Sequence, residues 1–255
     1  MRHSAYGNIL EVSSFAGKIL LENGAEIFRV EQTARHICRI YDLEHCECFA
    51  TPTAIMISII GKNGEVHSVV RRITKRGVNL RKVALVNEFS RELSDGSSSF
   101  EQIKADLKRI DELPGYPLWF MLLTAAVGTA AFTLVFSGGR LDFWWGFLTG
   151  GMVHLLVTAM ASRSSGPFLT NLAGGGSCAL FARVLAHLGG GDWWIITISA
   201  LMLLVPGMLM TNAFRDLAAG DVLSGLSRAA EALCIAVSLA GGAAFVIYLL
   251  HWGGL

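Results

Sequence analysis

The chain has 255 residues, 53% of them hydrophobic, and a formal net charge of only +1. This balance argues against a nucleic-acid partner, and five cysteines without paired spacing argue against a secreted disulfide scaffold. Residues 1–112 hold 16 of the 21 Lys and Arg residues and 15 of the 20 acidic residues. This shift predicts a cytoplasmic α+β domain over residues 1–113, followed by a transmembrane domain over residues 114–255.

The N-terminal part shows helical periodicity, then β-strand composition, then helical periodicity again. Apolar residues recur at helical spacing on both sides of Asn23-Gly24, a pair typical of a helix end. A β-branched run, the turn Lys62-Asn63-Gly64 and a second β-branched run predict a hairpin. Ser98 and Glu101 are spaced for the capping box of a last helix that ends near residue 113.

After Pro114 the chain contains five long stretches with almost no charge. Each is close to the roughly 20 residues that cross a bilayer core. Arg163, Arg215 and Arg228 fall on the same side as the N-terminal domain, and Arg140 on the other, which indicates a cytoplasmic N-terminal domain. The fold class is therefore a soluble α+β domain followed by an all-α membrane domain in a bacterial inner membrane. The five predicted spans are about 118–136, 143–162, 166–188, 193–214 and 229–250.

No nucleophile, phosphate-binding or metalloprotease motif is present, so the sequence does not predict an enzyme. His45, Cys46 and Cys48 are candidate metal ligands, but a Cys-x-Cys pair on a strand places both thiols on one face and lacks a second ligand pair. Structural packing is the preferred interpretation, and neither a metal nor a cofactor is expected. A membrane-anchored regulatory or hydrolytic domain is the alternative function.

Polar residues within the predicted spans are costly in lipid and are therefore candidates for function. Arg183 would bind a carboxylate or extend toward the interface, and Gly174–Gly176 would break its helix and let a ligand approach. Pro206-Gly207 would free backbone groups or form an ordinary kink. The candidate substrate-binding residues are Arg183, Asn171, Asn212, Arg228, Pro206 and Gly207. The candidate ion-coupling residues are Asp216, Glu231 and His154.

Some of these candidates, and the neighbouring Asp221, have a structural interpretation instead. Asp221 would cap the fifth span, Arg228 and Glu231 are spaced to pair on one helical face, and His154 would simply be packed among apolar neighbours.

The stretches "LLVPG" and "TNAFRDLAAGDVLSGLSR" closely resemble the hallmark of the threonine/serine exporter family. "LLENGAEIFRVEQTARHICRIYDL" and "RRITKRGVNLRKV" are similar to two further segments of that family. The resemblance marks motif positions without assigning a role to each. Among them, Glu26 and Arg76 are a candidate ion pair. The matching positions are Gly24, Glu26, Arg76, Asn79, Pro206, Gly207, Asp216, Gly220, Asp221, Gly225 and Arg228.

The resemblance implies export of small amino acids or of dicarboxylates such as succinate, driven by an ion gradient. It also implies a larger subunit, with a soluble segment and five spans, that works with a separate small membrane subunit. The end of this chain at Leu255 is consistent with the larger subunit alone, and assembly into an oligomer is expected. The proposed substrate site lies between the third, fourth and fifth spans.

Overall fold

The computed structural model describes residues 2–41, 43, 45–61, 64–93, 99–163 and 166–252. These residues form ten helices and one three-stranded sheet. In chain order the elements are α1 (Arg2–Glu22), α2 (Ile27–Ile40), β1 (Cys46–Thr51), β2 (Ala54–Ile60), β3 (Val66–Arg72), α3 (Leu80–Glu92), α4 (Phe100–Asp111), α5 (Leu118–Val135), α6 (Arg140–Ser162), α7 (Pro167–Gly189), α8 (Trp193–Leu204), α9 (Gly207–Ala218) and α10 (Val222–Trp252).

The predicted fold class is wrong, because no distinct soluble α+β N-terminal domain is present. The described part of the chain is 75% helical, and its sheet is small. The chain divides into two compact units, and the first combines Met1–Pro114 with Met208–Ala229. Residues that the sequence assigned to the fourth span and to the turn after it therefore complete the packing of the N-terminal residues.

The core of the first unit forms around α1 and the antiparallel sheet, which has the order β1-β2-β3. Alternate residues of β1 are buried, as the two-residue period of a strand requires, so Cys46 and Cys48 lie on the same buried face. Ile19 of α1 and Ile57 of β2 are among its largest fully buried side chains. Burial in this core supports the packing interpretation of the two cysteines.

The predicted hairpin is confirmed, because β2 and β3 pair along their lengths from Ala54↔Arg72 to Ile60↔Val66. Lys62 and Asn63 of its turn lie outside the described residues, as does Ser98 of the expected capping box. The box that caps α4 is formed instead by Ser99 and Gln102, one residue later. Gln102 can accept from the Ser99 N–H as a glutamate would, so this register is chemically equivalent.

The second unit contains Gly115–Gly207 and Ala230–Leu255. By length and composition, α5, α6, α7 and α10 are each able to cross a membrane, and the helix pair α8–α9 adds a fifth span only if its two helices count together. Five is thus the upper limit for the described residues. The second predicted span begins at residue 143, but the helix that contains it, α6, already begins at Arg140.

Small residues allow the helices of the second unit to pack closely. A Cβ at Gly175 of α7 would overlap the carbonyl oxygen of Leu239 of α10, and one at Gly242 would overlap the carbonyl oxygen of Leu172. The expected helix break at Gly174–Gly176 is wrong, because α7 is continuous through all three glycines. These glycines permit helix contact, which is the usual reason for small residues in membrane helices.

The side chain of Asp142 links the residues before α6 to the residues before α8 in the second unit. Its Oδ2 accepts from the Gly139 N–H at 2.7 Å, and its Oδ1 accepts from the Asp192 N–H at 2.7 Å. The side chain of Asp192 in turn caps α8 by accepting from the Trp194 N–H at 2.9 Å. Two carboxylates therefore satisfy backbone donors at the starts of α6 and α8, where intrahelical partners are missing.

Candidate functional site

In the first unit, several motif residues lie at or contact the turn between α1 and α2. Gly24 has a φ of 85°, which favours glycine, and a Cβ there would lie 3.1 Å from the Gly77 carbonyl oxygen. The Asn79 N–H donates to the Asn23 carbonyl oxygen at 3.1 Å. Asn79 also caps α3, because its side chain accepts from the Lys82 N–H at 3.2 Å. The two N-terminal segments that resemble the family, residues 20–43 and 71–83, thus meet at this turn.

Two side chains of α9, one helical turn apart, contact this α1–α2 turn. The side-chain amide of Asn212 donates to the Gly24 carbonyl oxygen at 2.9 Å. The Ile27 N–H, which has no intrahelical acceptor at the start of α2, donates to Asp216 Oδ1 at 3.2 Å. Both side chains are buried, so α9 supplies polar partners that the turn cannot obtain from water.

Arg228, near the start of α10, forms a buried ion pair in the same cluster. Its Nε lies 3.2 Å from Asp216 Oδ2, and its guanidinium also donates to the Ala25 carbonyl oxygen at 2.8 Å. Arg228 is 5% exposed and Asp216 is fully buried. Removing either partner of a buried ion pair is strongly destabilising, because the charge that remains is buried without compensation. This geometry therefore indicates a structural role for both residues.

Glu26 adds a second ionic group beside this pair. Its carboxylate, only 8% exposed, contacts Arg215 of α9 and lies 2.8 Å from Nε of Arg29. Arg76, the partner expected from the sequence, lies on the exposed segment between β3 and α3. The motif position Glu26 therefore links α2 to α9 through Arg215.

The α9–α10 turn is held by its backbone and by close packing. Gly220 has a φ of 93°, and the Asp221 N–H donates to the Asp216 carbonyl oxygen at 2.9 Å. A Cβ at Gly225 would lie 3.0 Å from the Ala213 carbonyl oxygen, so α9 and α10 approach closely there. Asp221 directly precedes α10, where a capping residue is expected, and its carbonyl oxygen accepts from the Gly225 N–H.

The predicted break at Pro206-Gly207 is confirmed. Helix α8 ends at Leu204 and α9 begins at Gly207. The Val205 N–H still donates to Leu201, and the Gly207 N–H donates to the Val205 carbonyl oxygen at 2.8 Å. The proline interrupts the helical ladder because it has no N–H to donate.

The remaining candidates lie in the second unit and do not share the motif cluster. Arg183 is half-buried in α7, and its guanidinium lies 5.2 Å from the centroid of the Trp193 ring. Among the described residues no carboxylate lies within ion-pair distance of it. Asn171 and Glu231 are half-buried, and Nε2 of half-buried His154 has no hydrogen-bond partner within the described ranges.

A family model described as "Putative threonine/serine exporter" matches residues 11–250. The chain belongs to the threonine/serine exporter family. Its family is one of transporters and not of enzymes, and its apolar helices make it a multi-pass membrane protein. No solved structure matches the chain.

Three curated relatives of this chain carry two kinds of name. A "Probable threonine/serine exporter" of Mycobacterium tuberculosis is 20% identical over 92% of this chain, which spans only 45% of that relative. A "Probable succinate transporter subunit YjjP" of Klebsiella aerogenes is 25% identical over 92% of this chain and 90% of its own length. The protein of the same name in Escherichia coli is 24% identical, over 93% and 92%.

Sequence reasoning located most of the clustered side chains but missed what they bind. Asn212, Asp216 and Arg228 all contact backbone groups of residues 24–27, and no residue type in a sequence marks a carbonyl oxygen as an acceptor. The available signal was that residues 20–43 and residues 211–228 both resemble segments of the same family. Asp142 was also missed, although its position in the first turn of α6 is a typical site for an acidic residue.

Proposed function

We propose that this chain is one subunit of a secondary transporter that exports small carboxylate-bearing metabolites. Family membership over residues 11–250 is the observation that carries the proposal. The relatives' names include threonine, serine and succinate, which share a carboxylate group. Export of an amino acid or of a dicarboxylate is therefore the substrate class, and residues 1–113 face the cytoplasm of a bacterial inner membrane.

Arg183 is the residue that we assign to the substrate carboxylate. It is the one arginine within α7, which has no lysine, and no carboxylate among the described residues neutralises it. An arginine is costly within lipid unless it pairs, reaches water or binds an anion. Its position six residues before the end of α7, about 9 Å from that end, also permits extension toward the interface, so the experiment must separate these roles.

Arg228 is a weaker candidate for the substrate than the sequence suggested. Its guanidinium already contacts Asp216 and the Ala25 carbonyl oxygen, and it is almost completely buried. Binding a substrate there would require breaking a buried ion pair. Asn212 and Asp216 are similarly engaged with the α1–α2 turn, so we assign all three to holding this part of the transporter together.

Export is coupled to an ion gradient in this proposal, and His154 and Glu231 are the remaining coupling candidates. Both lie on apolar helices of the second unit, α6 and α10. The unpartnered Nε2 of His154 is able to accept a proton without first breaking a hydrogen bond among the described residues. Asp216 is a less suitable candidate because its carboxylate already contacts Arg228 and the Ile27 N–H.

A separate membrane subunit completes the transporter in this proposal, as part of a larger oligomer. The support is the word "subunit" in the names of two relatives that this chain covers over nine-tenths of their length. The alternative was a membrane-anchored regulatory or hydrolytic domain, and its hydrolytic version loses support because the family is one of transporters and not of enzymes.

Transport by reconstituted vesicles tests the proposal. Vesicles that contain this chain with a co-expressed small membrane subunit are expected to move labelled threonine, serine or succinate when a proton gradient is imposed. Omission of the partner is expected to abolish that flux. Absence of flux for all three substrates in the complete system would contradict the proposed function.

Arginine variants test the substrate contact within the same assay. Arg183→Ala is expected to lower flux at least tenfold, and Arg183→Lys to remain defective because lysine cannot form a bidentate carboxylate contact. Arg140→Ala removes an exposed arginine from the start of α6 and serves as the matched control. Full flux with Arg183→Lys would instead support simple extension of the side chain toward the interface.

A further inference from the structure

A basic groove lies between α2 and α3 of the first unit. Its cavity measures about 500 Å³, which is within the usual range for small-molecule sites. Four arginines line it, and no carboxylate among the described residues does. These are Arg29, Arg35, Arg39 and Arg91.

The arginines of the groove divide into two pairs. Arg29 and Arg35 are already bound by Glu26 and Glu31, at 2.8 and 2.6 Å. Arg39 and Arg91 have no carboxylate within ion-pair distance in the described part of the chain. Two cations therefore face the same cavity without a counter-ion, beside two others that are partly neutralised.

Apart from Phe28, the rest of the lining consists of polar side chains. The side-chain oxygen of Asn87 accepts from buried Thr33 at 3.5 Å, which directs the Asn87 amide group. Its amide nitrogen makes no hydrogen bond within the described ranges and remains available as a donor. Gln32 and His36 complete a lining that is rich in donors and free of carboxylates.

A simpler explanation covers only part of this arrangement. Arg39 and Arg91 lie in the last turns of α2 and α3, where basic residues complement the helix dipole. That effect accounts for each arginine separately. It does not account for two further arginines, a histidine and a free amide donor around one cavity.

We propose that this groove binds a compact multivalent anion, either phosphate-bearing or polycarboxylate. Arginine suits both chemistries because its planar donors match phosphate and carboxylate oxygens. Bound anion would also contact Arg29, whose partner Glu26 contacts Arg215 of α9. The site stands independently of the proposed transport substrate.

Calorimetric titration of the purified full chain in neutral detergent tests the site. Inorganic pyrophosphate and citrate are the two probes, and they distinguish the phosphate source from the carboxylate source. At least one is expected to bind at a single site, with affinity that falls as salt increases. Failure of both probes to bind would overturn the proposal.

Matched variants locate the binding. Arg39→Ala with Arg91→Ala is expected to weaken binding at least tenfold, and Gln32→Glu to weaken it severalfold without removing a cation. Arg109→Ala removes an arginine of α4 whose side chain is 79% exposed, and it is expected to change affinity less than twofold. Equal binding by the double variant and the wild type, or an equal loss with Arg109→Ala, would place the anion elsewhere and overturn the assignment.

Discussion

At the scale of single residues, the buried pair of Asp216 and Arg228 is the most consequential contact. Each partner also contacts the backbone of the α1–α2 turn, Asp216 through Ile27 and Arg228 through Ala25. Removing one charge would leave the other in a site with almost no access to water. The pair therefore behaves as a unit whose halves are costly to remove singly.

Asp216→Asn is expected to destabilise the protein by about 3–5 kcal/mol, because it removes the carboxylate charge that faces buried Arg228 at 3.2 Å. Asparagine keeps an acceptor oxygen for the Ile27 N–H, so the loss reports mainly the charge. Thermal unfolding of the detergent-purified protein measures it. The control is Arg109→Ala, which breaks an exposed ion pair with Asp106 and is expected to change little. Equal shifts for the two variants would refute the prediction.

Glu31 predicts a particular dependence of stability on pH. Burial raises the pKa of its carboxyl above the ordinary 4.5, and this outweighs the opposing effects of the Ala50 N–H and of Arg35. Between about pH 4.5 and the raised pKa, the folded state keeps a proton that the unfolded state has released. The free energy of unfolding therefore falls as pH rises through this range. Below that window the cost is absent.

Glu31→Gln removes this titration but keeps an acceptor for the Ala50 N–H, which donates to Glu31 at 3.0 Å. The melting temperature of the variant is therefore expected to rise relative to that of the wild type as pH increases from below 4.5 to neutrality. Paired thermal scans across that range provide the measurement. A difference between the two proteins that stays constant with pH would exclude Glu31 as the source.

At the scale of elements, the close contact of α7 with α10 depends on glycine. Gly175→Ala is expected to destabilise the protein by about 1–3 kcal/mol, because the new methyl group would overlap the Leu239 backbone. Gly128→Ala is the matched control in α5, where no atom lies within 4 Å of the added Cβ. That change is expected to be neutral or slightly stabilising. Similar thermal shifts for both variants would argue against the contact.

Element by element, hydropathy predicted the apolar helices well because uncharged length is a strong signal. The break at Pro206 was predictable for a different reason, since proline lacks an N–H and interrupts a helix locally. Gly174–Gly176 misled the interpretation, because glycine is compatible both with a broken helix and with tight packing. Only the position of α10 against these glycines distinguishes the two, and that position is a property of the tertiary fold.

At the scale of the whole molecule, the sequence could not predict that the first unit is discontinuous. Composition separates residues 1–113 from the rest, yet Met208–Ala229 belongs with them. This segment looked like a membrane span and its turn because α9 carries apolar residues on the surface that does not contact the α1–α2 turn. Exposed Phe214 and buried Asn212 illustrate the two sides of that helix.

The orientation of the whole chain in the membrane is directly measurable. In a Cys234→Ser background, where the other cysteines are buried, Arg140→Cys and Arg163→Cys each introduce one exposed thiol. If residues 1–113 face the cytoplasm, an impermeant maleimide is expected to label position 140 in intact cells. Position 163 is then expected to react only after permeabilisation. The reverse labelling pattern would invert the proposed topology.

The discontinuity of the first unit also sets the order in which it is completed during synthesis. The ribosome must add 94 residues after Pro114 before Met208 emerges. At roughly 5–20 residues per second, this interval lasts about 5–20 seconds. Throughout it the carbonyl groups of Gly24 and Ala25 and the Ile27 N–H lack their later partners. The helices of the second unit up to Gly207 are therefore translated before the core of the first unit can be completed. During this interval the incomplete first unit is accessible to chaperones.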